Sequence, residues 1–174
     1  MLHRIAEAQG SRNPGHGMST LRTLWNFLHR IDDVRAPLQA AYNIASLAFS
    51  KEGKQQAILG GAVPLLLILL KERAHERVRS CGAAALMAIL TDDSGKVALI
   101  DAGLEPLVVA LEDPSTLVKI NVLKAVATAA AHPQAREMLI AAGAVAKLEG
   151  LVADGASAVI PSAKSALAAV LWTP

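Results

Sequence analysis

Apolar positions recur along this chain in steps of three and four, and a glycine interrupts them at regular intervals. The segments Leu59-Gly60-Gly61-Ala62-Val63-Pro64-Leu65, Asp101-Ala102-Gly103-Leu104-Glu105-Pro106-Leu107 and Ala141-Ala142-Gly143-Ala144-Val145-Ala146-Lys147 share one pattern. Gly61 and Gly103 are 42 residues apart, and Gly103 and Gly143 are 40 apart. Ile58, Ile100 and Ile140 precede the glycines, while Leu66, Val108 and Leu148, then Leu69, Leu111 and Leu151, follow them. Three-residue steps of this kind line one face of a helix. A longer helix follows in each unit, marked by Ile44, Leu86, Val126 and Leu167 in surroundings such as Ala40-Ala41 and Ala83-Ala84-Ala85. No segment alternates with period 2, so no sheet is predicted. Self-similarity at this period predicts stacked units, each of three helices.

The interruptions have physical reasons. Gly61, Gly103 and Gly143 fall where a short helix must stop, and glycine adopts the left-handed cap conformation without a side-chain clash. Pro64 and Pro106 sit in the first turn of the next helix, where a missing N–H is tolerated. Asp113-Pro114 predicts an N-cap and first helical residue for the long third helix, and Asp92-Asp93 are placed to cap the helix that follows them. Gly10-Ser11-Arg12-Asn13-Pro14-Gly15-His16-Gly17 is a run of helix breakers, so residues 1–17 read as a polar tail. Residues 18–174 form the repeat domain. Leu21, Leu24, Trp25, Leu28 and Ile31 lie at helical spacing, predicting an N-terminal capping helix over 18–33. Alternatively, Trp25 and Phe27 contact a partner.

A short helix, a glycine turn, a second helix ending on apolar residues and a long alanine-rich third helix together resemble the armadillo repeat, from about Arg35 to Leu171. The resemblance implies an all-α fold, a right-handed superhelical solenoid of about four three-helix repeats with the first and last incomplete. Such proteins bind other proteins along their surface. Members that grip extended peptides carry asparagines and tryptophans on the third helix. By register the asparagines fall at Ser46, Ala88 and Thr128 and the tryptophans at Tyr42, Ala84 and Lys124, and every position departs from the motif. Backbone gripping of a nuclear localisation signal is therefore not expected, and Tyr42, Arg79, Lys119, Lys124 and Thr128 are the candidate contacts on that surface. Residues 49–56, 78–87 and 163–174 are similar to late repeats of armadillo proteins of the ciliary radial spoke. That likeness implies a structural subunit of the axoneme in a motile cilium or flagellum, in a chain shorter than those proteins.

Composition narrows the chemistry. Of the 174 residues 53% are hydrophobic and only 3% aromatic, so many small aliphatic contacts must replace a few large ones. The 17 basic and 15 acidic residues leave +2, too little for a nucleic-acid footprint. The stretch Ala57–Leu70 contains a glycine turn and falls short of the roughly 20 apolar residues of a membrane span. The first residues lack a secretory core and Cys81 is alone, which points to a reducing intracellular compartment, the axoneme or else cytoplasm or nucleus.

No histidine of the five stands three or four residues from another histidine or a cysteine, so no metal site is predicted. Ser94-Gly95-Lys96 and Glu52-Gly53-Lys54 lack the other elements of a phosphate loop and occupy one repeat position, which fits helix initiation. His132 reads as a solvated loop residue and Cys81 as a small buried one. No catalytic constellation or cofactor motif is present, so the expectation is a non-enzymatic scaffold. Lys54, Lys96 and Arg136 each stand seven residues before a glycine and align into a stripe, either for solubility or for an acidic partner. The last helix has no polar helix after it, so Val170 and Trp172 are expected to stay partly open unless another chain or a second copy covers them. Residence in a multi-subunit assembly follows, with a homo-oligomer through that end and a reversible peptide adaptor as further readings.

Overall fold

The computed structural model describes residues 35–71 and 75–173. The tail 1–17 and the helix 18–33, with Trp25 and Phe27, lie outside the described residues. Ten α-helices are described: α1 (Arg35–Leu47), α2 (Lys51–Leu59), α3 (Ala62–Lys71), α4 (Glu76–Leu90), α5 (Asp93–Ala102), α6 (Glu105–Val109), α7 (Thr116–Ala129), α8 (Pro133–Ala141), α9 (Ala144–Asp154) and α10 (Ile160–Val170). A short 3-10 segment, Ala110–Glu112, extends α6. The described residues contain no strand. The fold is an armadillo-type, right-handed superhelical solenoid of about four three-helix units. The first unit is represented by its third helix, α1, and the last closes on a shortened third helix, 11 residues in α10 against 15 in α4 and 14 in α7.

Equivalent helices pack on one another from unit to unit, and the third helices α1, α4, α7 and α10 stand side by side. Alanine makes this approach possible. Ala83, Ala85, Ala125, Ala129, Ala163 and Ala166 are fully buried between these helices, along with Ile44, Leu86 and Val126. Within the unit, Gly82 of α4 lies against α3 so closely that a Cβ there would stand 3.3 Å from Leu69 Cβ. The fourth buried marker is Ala166 and not Leu167, which is only half-buried. The turn after α9 sets the phase of α10 so that Ala163, Ala166 and Val170 form its inner stripe.

The three cap glycines have positive φ, 78° at Gly61, 88° at Gly103 and 80° at Gly143. Gly143 is left-handed, whereas Gly103 combines positive φ with a ψ of 141°, a region open essentially to glycine alone. The glycine-lysine pairs are helix starts. Ser50 Oγ accepts from Gly53 N at 2.9 Å and Asp92 Oδ1 from Ser94 N at 3.0 Å. Each start lies against the end of the preceding third helix: a Cβ on Gly53 would stand 2.0 Å from the Leu47 carbonyl oxygen, and on Gly95 2.4 Å from that of Ile89.

Four expectations are corrected. The α7 boundary falls after Asp113-Pro114: Ser115 is the N-cap, its Oγ accepting from Val118 N at 3.3 Å. Asp113 is occupied one step upstream, accepting from Ser115 N at 2.8 Å and from Arg79. His132 is half-buried and caps α8, with its Nδ1 buried and unpartnered, so it is not simply solvated. Cys81 is only half-buried. Val170 is fully buried, because the outward positions of α10 are the small or polar Pro161, Lys164, Ser165 and Ala168. What remains open at that end is Leu171 and Trp172.

Helix α3 is apolar on nearly every side and buried from Ala62 to Leu70 except at Pro64 and Ile68. Among the described residues no single helix is long and apolar enough to cross a membrane; α2 and α3 pass such a test only as a pair bent by 77°.

Replacing Gly95 with alanine should cost about 1–3 kcal/mol in urea unfolding, because backbone must move to admit the Cβ. The Ser94 hydroxyl, then the Ser94 N–H, holds the Asp92 carboxyl below the ordinary aspartate value of 3.8. A lowered pKa contributes stability above that value which is lost as pH falls through and below it. Asp92→Asn keeps a cap without the charge, so its helicity should fall less steeply below pH 3.8 than that of the parent, as followed by circular dichroism.

Candidate protein-interaction face

A helix turns about 100° per residue, so positions i, i+4, i+7 and i+11 share a narrow stripe. On α4 that stripe is Arg77, Cys81, Ala84 and Ala88, and on α7 it is Leu117, Asn121, Lys124 and Thr128. The equivalent positions are Arg35, Gln39, Tyr42 and Ser46 on α1 and Pro161, Lys164 and Ala168 on α10. Because the four helices stand side by side, the stripes join into one face. Ala84 and Ala88 give it a low floor. Tyr42 at 48% and Leu117 at 52% exposure are its open apolar groups, and Arg35, Arg77, Lys124 and Lys164 its exposed bases.

Polar contacts cross the helices beneath this face. The Cys81 thiol beside Tyr42 pushes the phenol above its ordinary 10.0, with the nearby Arg77 acting in the opposite direction. Asn121 Nδ2 donates to the Ser80 carbonyl at 3.2 Å and to Ser80 Oγ at 3.0 Å. Thr128 turns its hydroxyl inward, donating to the Lys124 carbonyl at 2.8 Å.

The structure brings together Tyr42, Lys124 and Thr128 and separates Arg79 and Lys119 from them. Each of the last two is two residues beyond a stripe position, about 200° around its helix. Arg79 forms a bidentate pair with Asp113, Nε to Oδ2 at 2.6 Å and Nη2 to Oδ1 at 3.1 Å, with side chains only 15% and 6% exposed. Lys119 lines an open depression with Leu111, Ala146, Gly150 and Leu151, across which Lys147 pairs with Glu112.

The repeated bases are turned toward the protein. Lys54 Nζ donates to Thr91 Oγ1 at 2.6 Å, and Arg136 Nη1 to the Ala130 carbonyl at 3.0 Å. Thr91 and Ala130 end α4 and α7, so both bases lie at the negative end of a helix dipole. Lys96 is 8% exposed and bound to Asp93 Oδ1 at 2.7 Å. The Arg136 guanidinium also lies 4.9 Å over the Trp172 ring, which remains 57% exposed. Trp25 lies outside the described residues.

Sequence spacing does not assign Arg77, Cys81, Asn121 or Lys164 to this face. Lys164 is exactly where a 40-residue step from Lys124 leads, but aligning Leu167 with Val126 shifts that equivalence to Ser165. Charge is also unevenly distributed. Among the described residues the third helices carry six basic residues, Arg35, Arg77, Arg79, Lys119, Lys124 and Lys164, against the single acid Glu76. Glu76 accepts from Ser115 Oγ at 2.7 Å. The first and second helices, including the 3-10 segment, carry eight acids and six bases. Among the described residues no group of three or more potential ligands is arranged to hold a metal ion.

Several solved structures share this architecture. An engineered protein is 30% identical with a TM-score of 0.80, over 90% of this chain and 64% of its own. A computationally designed armadillo repeat protein for modular peptide recognition is 32% identical with a TM-score of 0.77, over 89% of this chain and 64% of its own. A designed armadillo repeat protein in complex with the peptide (KR)4 is 28% identical with a TM-score of 0.78, over 97% of this chain and 67% of its own. The chain thus spans a little under two thirds of the length of the first two of these structures. No protein-family model and no curated protein matches it. Fold and likeness define the class: an armadillo-like repeat solenoid.

The two kinds of base should separate on mutation. Arg79→Ala strands the Asp113 carboxylate and is expected to cost on the order of 3 kcal/mol in urea unfolding. Lys124→Ala, on the open stripe, should change stability by about 0.5 kcal/mol or less in the same measurement.

Proposed function

We propose that the chain is a non-enzymatic protein-interaction scaffold whose third-helix face holds an extended segment of a partner. The observation that carries this reading is the continuous stripe across α1, α4, α7 and α10, floored by Ala84 and Ala88 and edged by exposed Tyr42, Leu117, Lys124 and Lys164. Small side chains let a partner backbone approach, and the few large ones select what lies beside it. With Ser46, Ala88 and Thr128 at the places of the asparagine ladder, selection falls to those large side chains.

The assembly we propose is the axonemal radial spoke of a motile cilium or flagellum, with other spoke subunits as partners. What supports it is the similarity of residues 49–56, 78–87 and 163–174 to the radial spoke head 14 homologue. Leu171 and Trp172 offer a second, smaller contact to a neighbour or another copy. A second reading, a reversible peptide adaptor in cytoplasm or nucleus, is favoured by the likeness to designed proteins made for peptide recognition.

Affinity purification of the full chain from ciliated cells at gentle salt, beside an Ala88→Trp variant, tests these readings. Spoke subunits should accompany the parent, co-fractionate with demembranated axonemes and be lost from the variant. Companions that persist with Ala88→Trp would sink the face, and a chain absent from axonemes would sink the spoke.

A further inference from the structure

We infer that the third-helix face receives an acidic, extended protein segment, an inference that rests on the scaffold reading and specifies its partner. The argument begins with charge. Behind a net charge of +2 for the whole chain, the described residues show a separation in which the third helices hold six bases and one acid, while the acids gather on the first and second helices. The single acid, Glu76, precedes the stripe and is engaged by Ser115. Among the described residues no carboxylate lies on the stripe itself, and Arg77, Lys124 and Lys164 on it are exposed. A basic segment would meet like charges there, and an acidic one would meet complementary charges.

Register makes the match more specific. Tyr42, Ala84, Lys124 and Lys164 occupy one position in successive third helices. Packed helices stand about 8–10 Å apart. An extended chain with a polyproline-like twist rises about 3.1 Å per residue with about three residues per turn, so the residues of its one face that meet neighbouring helices are about three apart. A matching partner therefore presents carboxylates about three residues apart to Lys124 and Lys164. About three residues further lies the gap left by Ala84, and beyond it Tyr42 offers an exposed ring to an apolar side chain. Arg77 stands seven residues from Ala84 on α4, about 10 Å along the helix, and can engage a carboxylate at the edge of the segment. A nucleic-acid strand also carries negative charge, but among the described residues the face has a single aromatic ring, Tyr42, on which a base could stack.

Fluorescence anisotropy with the full chain at low salt tests this, using labelled (Asp-Glu)4 and (Lys-Arg)4 peptides and an oligothymidylate. The acidic peptide should bind and the basic one should not. Lys124→Glu with Lys164→Glu, both at exposed positions, should weaken the acidic peptide by about tenfold or more. Lys51→Glu with Lys147→Glu, an equal charge change away from the face, should weaken it by less than about twofold. Ala88→Trp should abolish binding, with circular dichroism confirming that each variant is folded.

Preference for (Lys-Arg)4, lost in Ala88→Trp, would overturn the acidic partner and leave the face intact. Acidic binding untouched by both Ala88→Trp and the on-face reversal would overturn the face as well. Failure of both peptides to bind would overturn the acidic inference, while the partner purification still decides the scaffold reading. Tighter binding of the oligothymidylate than of (Asp-Glu)4 would overturn a protein partner in favour of a nucleic acid.

Discussion

Close stacking of the third helices is the constraint on which the rest of this structure depends. One three-helix unit cannot enclose its own apolar surface, so each must press its long helix against the next. Ala83, Ala85, Ala125, Ala129, Ala163 and Ala166 make that possible by keeping side chains short at the contact. The larger Ile44, Leu86 and Val126 are buried with them. A composition with 3% aromatic residues follows naturally, since area is buried through many small contacts. The same stacking produces the outer face, because helices held in register align their outward stripes as faithfully as their inward ones.

Polar groups reinforce the stack at its edges. Arg79 reaches from the first turn of α4 to Asp113, which in turn receives the Ser115 N–H at the start of α7. Lys54 and Arg136 anchor first helices to the ends of third helices. Asn121 joins α7 to Ser80 of α4. These contacts specify how far one unit slides over another, which apolar burial alone fixes poorly because small aliphatic surfaces are so alike.

Local chemistry was readable from sequence where it repeated. The three glycines located the turns and the unit period, and the absence of the asparagine ladder was visible from register alone. Asp92 acts as the cap expected of it. What apolar character alone could not reveal was the rotational phase of individual helices. The 40-residue step from Val126 leads to the buried Ala166, and pairing Val126 with Leu167 instead is a one-residue misalignment that conceals Lys164 and leaves Val170 looking open. Arg79 and Lys119 were grouped with Tyr42, Lys124 and Thr128 because all lie on third helices, yet about 200° of rotation places them elsewhere. Asp113 resembled an N-cap because its pairing with Arg79, 34 residues away, has no local signature. The face could be anticipated as a class of surface, but its membership depended on phase.

Phase also decides what the charges mean. Taken along the sequence, bases and acids are interleaved, and Lys54, Lys96 and Arg136 form the most regular basic series. In the folded chain that series is largely spent on internal contacts, with Lys96 buried against Asp93. Lys124 and Lys164, less conspicuous in sequence, stand exposed at one register on adjacent helices. The two series differ for a physical reason: a charge at the end of a packed helix is best used on backbone dipoles and neighbouring caps, whereas one in the middle of the outward stripe is left to face outward. Such a residue can change the sign or spacing of the face without disturbing the buried alanines on the opposite side of its helix. In this architecture stability and specificity occupy different sides of the same helices, and that separation is what lets a stacked repeat serve as a scaffold.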